Sequence, residues 1–300
     1  MPRSRADLIT GKMSQVSTFQ GAARPRLAAF PGASARVGRV AFGAMLAAAY
    51  AIIFAPLLTV AIISFFDQEI VSVPPPGLTL RWYVNAWSQR DFARGFVTSF
   101  QIALIATAIG VPLGTAAALG IARGTFRGRD ALNTFLLAPL AVPAIVAGSA
   151  LYLFYVSAEN VLDMDIKATL GGLVAANVLL TIPWTVRLVG ASLAGLDRSA
   201  EEAAANLGAR PPAVFRRITL PMMRPGIVAA TLFSFVASFE NLELNLLLVG
   251  PGRTTLPVAM LSYLEFRMDP TLAAVATVQI VTIVVLMLVT DRFVKLSRVI

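Results

Sequence analysis

Cysteine and histidine are both missing from this 300-residue sequence. The first absence excludes disulfides, thiolate nucleophiles and Fe–S ligation. Together they leave a conventional zinc site, a Ser-His-Asp triad or a Cys-His pair nothing to be built from. Charge is scarce too. Asp, Glu, Lys and Arg make up 14% of the residues, where a soluble domain carries about 25%. A phosphate-binding loop is also lacking: Gly11-Lys12 has Ala6 where G-x4-G-K needs a glycine, so the sequence holds no nucleotide-hydrolysing motif of that kind. What is present is apolar. Hydrophobic residues reach 57% and the mean hydropathy is +0.75, which puts the chain in the membrane class.

A helix needs about 20 apolar residues to cross roughly 30 Å of hydrocarbon. Windows low in formal charge place spans at about 40–66, 97–122, 131–157, 168–187 and 270–290. One more window, 226–248, is apolar apart from Glu240 and Glu243. The expected fold is all-α: a polytopic membrane bundle of six transmembrane helices. On an alternating topology, nineteen of the 25 Lys and Arg fall on one side. The positive-inside rule then puts both termini in the cytoplasm. The net charge of +9 is thus a topology signal, and no nucleic acid partner is expected.

Residues 1–38 are Arg-rich and mixed, and are expected to form a cytoplasmic tail ahead of a membrane domain over 39–300. The apolar run that follows is too long for the 7–15-residue core of a cleaved signal peptide. Pro56, Pro112, Pro139, Pro143 and Pro183 fall within spans, where neighbouring helices can rescue the freed carbonyls. Gly110 and Gly114 have the GxxxG spacing that lets two backbones approach, within one subunit or between two.

The segment 196–221, between the fourth and fifth spans, is longer than a turn requires. Ser199 and Glu202 have capping-box spacing, Gly208 stands where a left-handed C′ residue ends a helix, and Pro211-Pro212 permit a new first turn. The expectation is a short helix, a bend and a second short helix, with Pro221 and Pro225 opening span five. Such a pair suits either a groove of another protein or the lipid headgroups.

The string Glu202-Ala203-Ala204-x3-Gly208-x9-Ile218-x-Leu220-Pro221 resembles the EAA signature of inner-membrane permease subunits of ABC importers, in position as well as in residues. The resemblance implies that Glu202, Ala203, Ala204 and Gly208 form a coupling helix docked in a cleft of a cytoplasmic ATPase, with Ile218, Leu220 and Pro221 shaping the return to the membrane. It further implies a second permease subunit, homologous or identical, a periplasmic solute-binding protein, and a bacterial inner membrane as compartment. No cofactor or metal is implied. Thr79-Leu-Arg-Trp-Tyr83, Ser238-Phe239-Glu240, Thr254-Thr-Leu-Pro-Val258 and Asp269-Pro270 look like the spermidine/putrescine branch. Branches for opines, amino-acid-like cations, iron(III), sulfate and molybdate share parts of these strings, and Glu240 stands where the branch often has Asp.

Glu240 and Glu243 are three apart, a spacing that shares a helix face. A charge at bilayer depth costs about 2.5–3.5 kcal/mol on insertion scales. Two carboxylates on a wet path, with Asn241 beside them, would favour a cation; alternatively they support a gate or pair with a partner's arginine. Asn177 and Gln279 are expected as interhelical hydrogen bonds. Trp82, Tyr83 and Trp87 are expected at headgroup depth or against a delivering protein. A membrane enzyme would need paired carboxylates facing a cavity, and Asp163 and Asp165 fall in an expected outer loop. A membrane scaffold would leave the EAA string unexplained.

Overall fold

In hydrocarbon no water can satisfy a peptide group, so long Ala, Leu, Val and Ile runs bond their backbone internally as helices. The computed structural model of the chain describes residues 32–70, 72 and 74–294. Among the described residues there are twelve α-helices: α1 Gly32–Ile63, α2 Arg81–Ser88, α3 Arg90–Arg123, α4 Arg129–Leu137, α5 Ala144–Leu162, α6 Leu170–Ala194, α7 Ser199–Asn206, α8 Pro211–Val214, α9 Leu220–Phe239, α10 Glu243–Leu246, α11 Leu256–Phe266 and α12 Thr271–Val294. Six stretches of these residues are long and apolar enough to cross a bilayer: Gly38–Ile63, Arg90–Arg123, Ala144–Leu162, Leu170–Ala194, Pro211–Leu246 and Thr271–Thr290. The number expected from the charge-poor windows is therefore found.

The chain divides into two compact units, Met1–Leu57 and Leu58–Ile300. In the first, the described residues all belong to α1, and the tail expected over 1–38 lies outside the described residues as far as position 31.

The centre of the second unit is α3, α6 and α9. Lipid tails are as apolar as leucine, so these helices are held by close packing and interhelical hydrogen bonds instead of by expulsion of water. Gly110 and Gly114 on α3 face Thr181 and Thr185 on α6. A Cβ on Gly110 would overlap the Thr181 hydroxyl, and one on Gly114 would come within 2.6 Å of Thr185 Cβ. The GxxxG spacing thus serves packing within one subunit. A buried polar ladder runs beside it. Asn177 Nδ2 donates to Asn245 Oδ1 at 3.0 Å, Ser238 Oγ donates to Asn177 Oδ1 at 2.9 Å, and the Thr185 and Ser234 hydroxyls meet at 3.3 Å. Each such bond in a membrane bundle is worth about 0.6 kcal/mol. Asn177 is the interhelical bond expected. Gln279 instead lines a cavity beside Glu240.

Several boundaries differ from expectation. The span expected over 131–157 is interrupted. α4 passes into a short 3-10 turn, Ala138–Ala141, and the chain is extended at Val142 before α5 begins at Ala144. Pro139 and Pro143 each remove a backbone donor, and Pro143 keeps Val142 before it out of the helical region. The stretch 249–269, expected as loop, contains the apolar helix α11. Its start is seated on α3, where Leu256 N donates to Ser99 Oγ at 2.9 Å. Trp82 is turned into the protein: it is 5% exposed and its indole donates to Phe66 O at 2.7 Å. Tyr83 shares a 2.7 Å hydrogen bond with Ser64, while Trp87 is exposed.

Candidate functional site

The segment 196–221 builds an arm at the end of the bundle where α3 and α6 finish. Its first helix, α7, is not started by the expected capping box. The Asp197 carboxylate takes that place, accepting from Ser199 N at 2.9 Å and Ser199 Oγ at 2.7 Å. An aspartate two residues upstream forms this Asx turn before Ser199 can act as cap. The two Ser199 donors, the amide foremost, hold the Asp197 carboxyl below the ordinary carboxylate range.

The far end of α7 is as expected. Gly208 has φ +82, Gly208 N donates to Ala205 O at 2.9 Å, and Ala209 N donates to Ala204 O at 3.0 Å. These two bonds make a Schellman motif. Pro211 and Pro212 then open α8. The expected second short helix is not separate, however. α8 continues through a π turn, Phe215–Thr219, directly into α9. Leu220 N reaches back to Phe215 O, a five-residue step that accommodates the donor missing at Pro221.

The arm is tied to the bundle by residues that the motif did not single out. Arg123, in the last turn of α3, meets Glu201 Oε1 at 2.8 Å, and Thr219 Oγ1 donates to the same oxygen at 2.8 Å. Arg198 donates to Ala122 O at 2.8 Å. Glu201, and not Glu202, is thus the inward carboxylate. Glu202, Ala203 and Gly208 remain exposed, as does Leu207 at 89%. A groove of about 430 Å³ runs between α7 and the π turn, lined by Glu202, Ala205, Val214 and Phe215 among others. Ile218 and Leu220 are half-buried and Pro221 is exposed.

The Arg123 and Glu201 side chains are only 22% and 19% exposed. Glu201→Leu should therefore free an unpaired charge and loosen the arm by about 1–2 kcal/mol, less than a fully buried pair costs. Limited proteolysis between Asp197 and Gly208 should quicken, with the membrane core still protected; an unaltered cleavage rate would count against this tether.

The second candidate site lies where α9 ends. The helix stops at Phe239, with Glu240 as its C-cap and Glu243 opening the separate α10. The expected shared helix face is therefore not formed. Asn241 causes the separation: its Oδ1 accepts from Leu244 N at 2.9 Å, and its carbonyl accepts from Asn245 Nδ2 at 2.8 Å. Asn245 is itself held by Asn177, so the polar ladder fixes the non-helical segment. Glu240 and Gln279 stand in an otherwise mostly apolar cavity of about 620 Å³ walled by α11 and α12. Glu243 is exposed and is not part of that wall. At the same end, Arg94, Arg253 and Arg267 line another cavity of about 470 Å³.

Comparison with known proteins decides what such a bundle and arm belong to. Residues 110–298 match the family described as binding-protein-dependent transport system inner membrane component. The chain belongs to that family. The permease is 32% identical over 229 residues to the putrescine transport system permease protein PotI of Escherichia coli (strain K12), covering 76% of this chain and 81% of that one. It is 24% identical over 252 residues to the spermidine/putrescine transport system permease protein PotC of the same strain, covering 84% and 93%. The permease also resembles, with a TM-score of 0.65 and 14% identity, a chain in the crystal structure of a bacterial ABC transporter involved in the import of the acidic polysaccharide alginate, covering 88% of this chain and 99% of that one. That likeness shows the fold alone.

The permease is accordingly a multi-pass inner-membrane subunit of an ABC importer, and a transport component, not an enzyme. Members of the family work with an ATPase and a substrate-binding protein.

Proposed function

We propose that the permease passes a small cation of the polyamine class, with both termini and the α7 arm on the cytoplasmic side. The observation that carries this cargo is the 32% identity to a putrescine permease across 229 residues. The two carboxylates after α9 agree with it in sign. Carboxylates at membrane depth are retained mainly where they meet water, a partner or a solute, and Glu240, Glu243 and the intervening Asn241 occupy the turn that ends the span. In this reading they line the path at its outward half.

The other end is where the work enters. Glu202, Ala203, Ala204 and Gly208 seat in a cleft of a cytoplasmic ATPase, and Ile218, Leu220 and Pro221 carry the motion into the membrane. Closure of the ATPases then swings the path between inward-open and outward-open states. A second permease subunit, a copy of this chain or a homologue, closes the path, and a periplasmic binding protein delivers the solute to the opposite end. Residues 1–38 form a cytoplasmic tail and 39–300 the membrane domain.

The test is uptake of radiolabelled putrescine into proteoliposomes holding the permease, its ATPase and its binding protein. Glu240→Gln combined with Glu243→Gln should lower uptake at least tenfold while the subunits stay assembled. Wild-type uptake by that variant would return both residues to a structural role. Preference for sulfate or molybdate over putrescine would overturn the cationic cargo.

A further inference from the structure

A third cavity, of about 500 Å³, opens on the arm's end of the bundle between the last turns of α3 and α6 and the helix α4. Its rim carries Arg123, Arg129, Arg187 and Arg198 against one acid, Asp130. Arg123 is neutralised by Glu201 and Arg198 is committed to a backbone carbonyl. Among the described residues, Arg129 and Arg187 make no ion pair. Two guanidinium groups thus face a cavity with charge left over.

Apart from Asn133 the remaining wall is apolar, with Leu137, Val186 and Leu193. On α4, beside Arg129, Leu132 is 40% exposed. A free anion would gain from the arginines and find nothing to match that surface. A molecule with a phosphodiester head and acyl chains matches both: guanidinium forks bind phosphate oxygens in pairs, and basic pockets between membrane helices on the cytoplasmic side take anionic headgroups.

We infer that this cavity is a binding site for an anionic phospholipid of the inner leaflet, its phosphate held by Arg129 and Arg187 and its chains lying along Leu137 and Leu132. The leaflet rests on the inward orientation proposed above; the binding itself does not. The site brings a lipid against α4 and the ends of α3 and α6, next to the Arg123–Glu201 tether of the arm.

Native mass spectrometry of the delipidated full-length chain, titrated with cardiolipin or phosphatidylcholine, tests the site without any transport step, so its failure leaves the cargo reading untouched. Wild type should bind cardiolipin in preference to phosphatidylcholine. Arg129→Gln with Arg187→Gln should weaken cardiolipin binding tenfold or more. Arg127→Gln, an exposed arginine outside the cavity, should not. Gly190 lines the cavity and a Cβ there meets nothing within 4 Å, so Gly190→Leu should fill the space without disturbing the helices and produce a similar loss. Equal cardiolipin binding by wild type and both cavity variants overturns the proposal. So does displacement of the lipid by millimolar inorganic phosphate, which would assign the arginines to a free anion.

Discussion

Gly208→Pro should abolish solute uptake while leaving the permease in the membrane. The residue sits at φ +82, and a proline ring locks φ near −65°. Proline also deletes the Gly208 N–H that donates to Ala205 O at 2.9 Å. The Schellman turn then cannot close, and α7 loses the end that aims Leu207 and the alanine face outward. No neighbour lies within 4 Å of the Gly208 Cβ position, so the bundle itself is not strained. A drop in uptake of a hundredfold or more is expected in proteoliposomes, with ATP hydrolysis no longer stimulated by the binding protein. Gly208→Ala should be intermediate, because it strains φ and keeps the donor. Unimpaired uptake by the proline variant would sever α7 from the ATPase.

Gly110→Leu should act earlier, on folding. Even a Cβ at this position overlaps the Thr181 hydroxyl, and a leucine would push α3 off α6 along a contact that also includes Gly114 and Thr185. Overpacking a tight core costs about 1–3 kcal/mol. Here the same shift would pull the Thr181 hydroxyl from Ala106 O, which it meets at 3.4 Å across the two helices, adding about 0.6 kcal/mol for the interhelical bond lost. The variant should accumulate poorly and lose its thermal transition in detergent. Gly110→Leu with Thr181→Gly should recover part of the loss, since it vacates the volume that the new side chain needs. Normal accumulation of Gly110→Leu alone would show that α3 and α6 are not in close contact at Gly110.

Both variants act on features legible in the sequence, and for the same reason: they depend on residues close together in the chain. The Schellman end of α7 needs a glycine after a run of alanines. The six spans need only stretches long enough and poor enough in charge. The features that differ from expectation share a cause too. Lack of charge over a window does not mark where a helix stops, so it carries no sign of the break at Asn241 or of the placement of Glu240 and Glu243 in different elements. Pro139 and Pro143 were tolerable singly as kinks; four residues apart they remove two donors from one turn and divide the span. The capping box lost to Asp197, which reaches Ser199 first. Glu201 is not legible in the sequence because its partners, Arg123 and Thr219, come from distant parts of the chain, and no spacing along the sequence brings the three together.

The π turn at Phe215–Thr219 has a mechanical consequence. Because it joins α8 to α9 without interruption, residues 211–239 form a single continuous rod of 29 residues, about 43 Å long at 1.5 Å per residue. A tilt of roughly ten degrees about its midpoint would carry each tip about 4 Å in opposite directions over such a length. Whatever torque is applied at Pro211 therefore arrives at Phe239, and at the carboxylate that follows it, as a lever stroke, with no slack joint to absorb it.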